Sequence, residues 1–505
     1  MKRLLPPTLA VAGFLVLGAF FLWLSAGAFS RAQDRAREYR YLSEALDPVE
    51  RPADAVRWTP AVKPLVRDFL PEDEAMVGKA LTQGWRAFAA ASDTNETALL
   101  ADHFAGIALS RAQLAASEAW TGGTRMVVLE QTAQPDFLHL DGSVVQVSAK
   151  ATTVRYSLRD SALAQLELAQ DKVRTTLTNE TTGWRIFSHD RSGSQPVTTV
   201  PRPPLTLPRL NGVNYYPAGT PWRRFWPEFN ADIIAADLDL VAGLGGNAVR
   251  IFLPVADFGP DADGTTNLKK LGTFLALAEA RDIQVIPTLF DMKPGYRPAV
   301  WADDVAYLRR VLPVLAASPA VVIVDLKNEP DLDRSAQGAG LVEAWLTTMT
   351  LMTREIAPDL ALTIGWSSAE AAPDLAGLLD AVSYHDYAPV KGTAERLADV
   401  RQLAEGKPVL VTEIGASSYT FALGFPGSPS AQATALGDRL NQLAPANGVL
   451  VWTLHDFAAP DIAAVGGSPW VQRLQATFGL YDSTGAAKPA ADAVAAAFSA
   501  ASDSN

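Results

Sequence analysis

The sequence predicts an α/β chain whose larger part, residues 208–505, is a (β/α)8 TIM barrel, preceded by a small α+β domain and an N-terminal transmembrane helix. Three observations carry that expectation. Strand-like and helix-like segments alternate eight times beyond a proline-rich boundary; helices followed by long β-rich runs fill residues 73–192; and Leu9 to Phe29 holds no charged residue.

The N-terminal stretch comes first. Met1-Lys2-Arg3 precedes Leu9–Phe29, and Arg31, Asp34, Arg35, Arg37 and Glu38 end it. About 21 residues at a helical rise of about 1.5 Å cross the roughly 30 Å apolar core of a bilayer. Residues 1–30 therefore read as a signal anchor, with Trp23 near one interface. A cleaved secretory signal ending near Ala26-Gly27-Ala28 is the rival. Residues 31–72 are charged and carry Pro48, Pro52, Pro60, Pro64 and Pro71, the texture of a juxtamembrane spacer.

Residues 73–192 change texture. Ala75–Ala91, Glu96–Phe104 and Ile107–Ala119 have helical apolar spacing. Five β-rich runs follow: Thr124–Gln131, Phe137–Leu140, Ser143–Tyr156, Leu166–Leu177 and Gly183–Phe187. Helices first and then a meander predict helices packed on one face of an antiparallel sheet. This order resembles the NTF2-like cone, and that resemblance implies a module able to bind a protein partner. Ser192-Gly193-Ser194 and Pro201-Arg202-Pro203-Pro204 mark residues 193–207 as a semi-rigid linker.

Beyond it the strand candidates are Gly212–Tyr215, Asn247–Phe252, Gln284–Leu289, Val321–Leu326, Ala361–Ile364, Ala381–Tyr384, Pro408–Thr412 and Gly448–Trp452. Helix candidates such as Ala231–Leu244, Leu268–Arg281, Asp303–Ala316, Gly340–Glu355 and Ala431–Leu443 separate them. Eight such units in about 300 residues suit a barrel. A doubly wound open sheet is the alternative, but no Gly-rich phosphate loop follows the first strand.

Bulk properties narrow the chemistry. Of 505 residues 48% are hydrophobic and 19% charged, and the net charge is −12. Such a chain offers no basic face to phosphates, so a nucleic-acid partner is not expected. It has no cysteine, which excludes disulfides, thiolate zinc sites and thiol nucleophiles. Neither a cofactor nor a metal is expected.

Catalytic groups on this fold sit at the C-terminal ends of strands. There the chain places Arg250 (strand 2), Asn328-Glu329-Pro330 (strand 4), His385-Asp386-Tyr387 (strand 6), Glu413 in Thr412-Glu413-Ile414-Gly415 (strand 7) and Trp452 (strand 8). Two carboxylates on one rim are the minimum equipment for cleaving a glycosidic bond. Asp291 and Asp456 read first as loop caps and second as contacts for sugar hydroxyls. Tyr215, Tyr216, Trp222 and Trp226 are candidates for sugar-stacking surfaces or for loop packing.

In this order the motifs resemble clan A glycoside hydrolases, and among them family 5, the cellulase and mannanase family, over residues 208 to about 500. The resemblance implies a retaining glycosidase acting on a β-glucan or β-mannan. It implies Glu329 as general acid/base and Glu413 as nucleophile. Asn328 then contacts the sugar 2-hydroxyl, Arg250 and Tyr387 hold Glu413, His385 lines the donor subsite and Trp452 stacks on a pyranose. Many family members carry a histidine where this chain has Leu289-Phe290-Asp291, so the subfamily and its sugar stay open. Transglycosylation by the same residues, and a scaffold for polysaccharide synthesis or export using the NTF2-like domain, are the alternatives. A polysaccharide substrate implies an extracytoplasmic catalytic domain, periplasmic in a Gram-negative cell. The Lys/Arg count points the other way, with Arg31, Arg35, Arg37 and Arg40 outnumbering Lys2 and Arg3.

Overall fold

The computed structural model describes residues 56–180, 183–198, 202–260, 264–293, 295–422 and 425–502. The expected transmembrane helix and the first part of the spacer lie outside these residues. Among the described residues no helix is long and apolar enough to cross a membrane.

The smaller unit is a five-stranded sheet of β1 (Val56–Trp58), β2 (Arg125–Leu138), β3 (Val144–Arg159), β4 (Ala162–Glu180) and β5 (Gly183–Pro196), in that order, with helices α1 (Pro71–Thr94) and α2 (Gly106–Trp120). β2 to β5 form the expected antiparallel meander, while β1 lies parallel to β2. Three expectations need correction. The two runs Thr124–Gln131 and Phe137–Leu140 are one strand with irregularities after Val128 and after Pro135. The spacer contributes β1, and the linker begins as strand, since Gly193 pairs with Lys172. Glu96–Phe104 holds only a 3-10 turn, Thr97–Asp102, because α1 ends at Asn95 with φ 63°. Asparagine tolerates that left-handed geometry and so stops the helix.

Side-chain alternation gives this sheet two apolar faces. Val145, Val147, Ala149, Ala151, Val173 and Leu177 meet Val77, Leu81, Trp85 and Phe88 of α1. Val127, Leu129, Val154, Tyr156 and Leu168 point the other way and join the barrel core. The expected linker therefore does not hold the two units apart. Tyr156 stacks on Trp301 at 5.3 Å, Arg309 pairs with Glu130 at 2.6 Å, and Arg297 pairs with Asp93 at 2.7 Å. Gly340 N–H donates to Ser161 O at 2.9 Å, an approach that a Cβ only 2.7 Å from that oxygen would block.

The barrel strands are β6 (Leu210–Asn214), β7 (Ala248–Pro254), β8 (Gln284–Asp291), β9 (Val324–Asn328), β10 (Leu362–Trp366), β11 (Val382–Asp386), β12 (Val409–Ile414) and β15 (Gly448–Val451). They pair in parallel and close through β15 and β6. The hairpin β13 (Thr420–Ala422) and β14 (Phe425–Pro426) lies outside the ring. Around it run α3 (Ala231–Gly243), α4 (Gly264–Glu279), α5 (Trp301–Ala316), α6 (Ala339–Ile356), α7 (Thr393–Leu403), α8 (Pro429–Gln442) and α9 (Pro489–Ser502). After β10 the described residues hold only a 3-10 turn, Ala376–Leu378, in place of a helix. Leu210, Ala248, Ile286, Ile323, Ala361, Ala381, Leu410 and Leu450, one from each strand segment, plug the N-terminal end. The polar residues gather at the other end.

Candidate active site

Arg250 organises that end. It is fully buried, and each of its five N–H donors has a partner. Nε and Nη2 reach Asp325 Oδ2 at 3.1 and 2.6 Å, Nη1 reaches Glu413 Oε1 at 2.5 Å and Asn214 Oδ1 at 3.0 Å, and Nη2 reaches Asn328 Oδ1 at 2.7 Å. An unpaired guanidinium would be strongly destabilising in such a place. Burial pushes its pKa down, and the Asp325 and Glu413 charges more than reverse that, leaving it raised. The sequence expectation that Arg250 holds Glu413 agrees with this geometry.

Glu413 is buried near the end of β12, its Oε2 accepting from Tyr387 Oη at 2.9 Å and lying 3.7 Å from His385 Nδ1. Tyr387 is 43% exposed as a residue, but its hydroxyl donates to the buried carboxylate. Desolvation of the hydroxyl and the Glu413 charge push its pKa well up, so it remains a donor.

Glu329 follows β9 with φ 45°, a left-handed backbone conformation uncommon outside glycine and frequent at functional sites. Its N–H donates to Gly365 O at 2.7 Å and its Oε1 accepts from His385 Nδ1–H at 2.8 Å. Burial pushes the Glu329 pKa up, but the His385 hydrogen bond and charge, with Arg250 and Lys327, outweigh it and hold the group below its ordinary range. One oxygen of Glu329, one of Glu413 and a ring nitrogen of His385 all lie within 4.8 Å of one another. Such a donor set can hold a divalent cation in principle. Here the Arg250 charge, 2.5 Å from Glu413, opposes one.

A pocket of about 440 Å³ opens over the two glutamates, lined by Tyr216, Trp222, Phe252, Asp291, Asn328, Trp452 and others. Its far wall is Ala464, Val465, Gln475 and Phe478, from the loop after β15. That loop is tied across the mouth by Asp461, which takes a two-pronged ion pair from Arg223 at 2.6 and 2.7 Å.

The expected site residues thus converge, with one correction, at His385, and with the open alternatives resolved. His385 does not line the pocket; it is buried and braces Glu329 from below. Trp226 is core, its Nε1 donating to Phe252 O at 2.8 Å, and Tyr215 is core, its hydroxyl bonded to Asp237 at 2.8 Å. Asp456 braces a loop through Gly479 N and Lys488 Nζ, both at 2.8 Å. Asp291 lines the pocket and accepts from Tyr216 Oη at 3.3 Å. Burial raises the Asp291 pKa. Sequence reasoning missed Asp325, Asn214 and the wall after β15. For Asp325 a signal existed, since an acid inside the apolar run Val321–Leu326 must be paired if that run is a buried strand.

No protein-family model and no curated protein matches the chain. Among solved structures it is similar to an exo-beta-1,4-mannosidase from Opitutaceae bacterium strain TAV5, at 23% identity over 58% of this chain and 59% of that one, with a TM-score of 0.48. It is also similar to a GH5_18 protein from Streptomyces cattleya in complex with GlcNAc, at 21% identity over 59% and 82% of the two chains and a TM-score of 0.47. A GH5_18 protein from Bifidobacterium longum subsp. infantis gives 18% identity over 58% and 79%, and a TM-score of 0.47. The chain thus spans less than two thirds of the length of that mannosidase.

Proposed function

We propose that the protein is a retaining glycoside hydrolase that cleaves a β-linked glycan by double displacement, with Glu413 as nucleophile and Glu329 as acid/base. The observation that carries this reading is the pair of unlike carboxylates at one rim, close enough that one oxygen of each lies within 4.8 Å of the other. Retaining sites hold their carboxyl groups about 5–5.5 Å apart, whereas inverting sites leave about 6.5–9.5 Å for a water between them.

The two environments support different work. Glu413 accepts hydrogen bonds from a permanent cation and a hydroxyl, the partners that suit a carboxylate nucleophile, and attacks the anomeric carbon while Glu329 gives its proton to the departing oxygen. Attack consumes the Glu413 charge. That loss removes a repulsion on Glu329, which then acts as base on the incoming water, and the glycosyl ester to Glu413 is cleaved with Glu413 as leaving group. Because its surroundings favour the ionised form of Glu329, the rate with poor leaving groups should decline as pH rises through the acidic range. Asn328, fixed by Arg250, is placed to bind a sugar hydroxyl, and Trp452 and Trp222 offer flat apolar faces.

Asp291, Glu329 and Glu413 line the pocket, and among the described residues no basic side chain does. That charge supports a neutral sugar, of β-glucan or β-mannan type, over a uronic acid. Membrane anchoring through Leu9–Phe29, extracytoplasmic placement of the barrel and an NTF2-like role for residues 73–192 belong to this proposal too. The barrel covers one face of the small sheet, so a protein partner would have to use the helix side.

The test is hydrolysis of aryl β-mannosides and β-glucosides by the full chain. Glu413→Gln is expected to lower kcat/KM by about a thousandfold or more while leaving the fold intact. A glutamine variant as active as the parent on a cleaved substrate sinks the assignment.

A further inference from the structure

Arg250 serves two buried acids, and it divides itself unequally. Nε and one Nη2–H go to Asp325, while a single Nη1–H goes to Glu413. Asp325 is itself saturated. Its Oδ2 also accepts from Thr288 Oγ1 at 3.0 Å, and its Oδ1 accepts from the backbone N–H of Gly365 at 2.8 Å and of Lys327 at 3.3 Å. It is fully buried and does not line the pocket over the two glutamates. The fifth strand makes room by having no side chain: a Cβ on Gly365 would lie 2.9 Å from Asp325 Oδ2, 3.0 Å from Arg250 Nη2 and 3.2 Å from His385 Nε2.

We infer that Asp325 is a positioning residue for the proposed reaction, which holds Arg250 side-on and sets how much of its positive charge reaches Glu413. The inference rests on Glu413 being the nucleophile. Asp325 and Arg250 together are neutral, so Glu413 faces a guanidinium whose charge is already shared. Its carboxylate is therefore pinned by one short hydrogen bond and not by a two-pronged ion pair. The other groups facing Glu413 are His385 in β11 and Tyr387 just after it, Glu329 after β9 and Tyr216 after β6. None of them shares the Arg250 guanidinium, so each is common to wild type and an Asp325 variant.

The test uses Asp325→Asn in the full chain with 2,4-dinitrophenyl β-mannoside and β-glucoside. That leaving group departs without a proton, so the acidic limb of kcat/KM reports the nucleophile and not Glu329. The variant leaves the Arg250 charge unshared, so the limb is expected to move down by about one pH unit, with kcat/KM about tenfold lower on the plateau. Asp325→Ser, which also removes the charge while keeping a short polar side chain, should shift it the same way, and carries the test if Asp325→Asn does not fold. An acidic limb that stays put or moves up in both variants overturns the inference. If wild type cleaves neither glycoside, the proposed function is what has failed. The inference is then decided without substrate, by 13C NMR titration of glutamate carboxyls, with the Glu413 signal assigned by its loss in Glu413→Gln. A lower Glu413 midpoint in Asp325→Asn supports the inference, and an equal or higher one overturns it.

Discussion

The two ends of the barrel are built from the same eight strands and obey opposite rules. At the N-terminal end one apolar side chain per strand segment, Leu210 through Leu450, closes the interior with nothing that ionises. At the C-terminal end the same strands carry Asn214, Arg250, Asp325, His385 and Glu413, all buried and bonded to one another or to their neighbours. The first end gains stability by removing apolar area from water. The second takes charges out of water, which costs stability unless every partner is in place, and obtains in return a carboxylate held ready to react. Damage to the first end should therefore read out as stability alone, and damage to the second as chemistry as well.

The largest expected effect comes from Arg250→Met, because it leaves Asp325 and Glu413 buried without their cation. Activity should fall by about a thousandfold or more, and urea unfolding should show a loss of about 3–5 kcal/mol. A fully active variant would mean that the polar end does not work as one network. Next is Leu410→Ala at the opposite end, expected to cost about 2–5 kcal/mol by the cavity it leaves. Its kcat/KM per folded molecule should equal that of the wild type, and a large drop there would erase the contrast between the ends. The smallest effect lies beside the pocket, at Asp257, where burial and the neighbouring Asp291 push the pKa up to about 6 against the pull of Lys270. Below the ordinary range near 3.8 both folded and unfolded chains hold the proton. Between there and about 6 only the unfolded chain loses it, so this group's contribution to stability declines as pH rises through about 6. Asp257→Asn should therefore raise the Tm at pH 8 and leave it unchanged at pH 3, and scanning calorimetry at the two pH values checks both.

Much of this was legible in the sequence for a physical reason. Glu329, Glu413 and Trp452 each close a short apolar run, so a local pattern placed them at strand ends without any long-range information, while Arg250 stood out as the one charge inside its own run. What escaped depends on pairing across strands. Asp325 and Asn214 matter because of what lies opposite them in the closed ring, and Gly365 matters for a side chain it lacks. His385 read as a subsite residue because its motif is local, whereas its burial is a property of the assembled barrel. Trp222 and Trp226 sit in the same short loop, yet one lines the pocket and the other is core, a distinction that only packing decides. In the smaller unit, Gly and Pro marked a linker and a spacer, but edge pairing made strands of parts of both. The second apolar face of that sheet was hidden because β3 is buried on both sides along Ala151–Val154, where simple alternation disappears.

The central claim is that Glu413 attacks and Glu329 shuttles the proton in a double displacement. The most direct measurement is the anomeric configuration of the first-formed product, followed by 1H NMR while the full chain hydrolyses an aryl β-glycoside it accepts. Two successive inversions require the β-anomer to appear first and the α-anomer only later, by mutarotation. An α-anomer formed first would contradict the account.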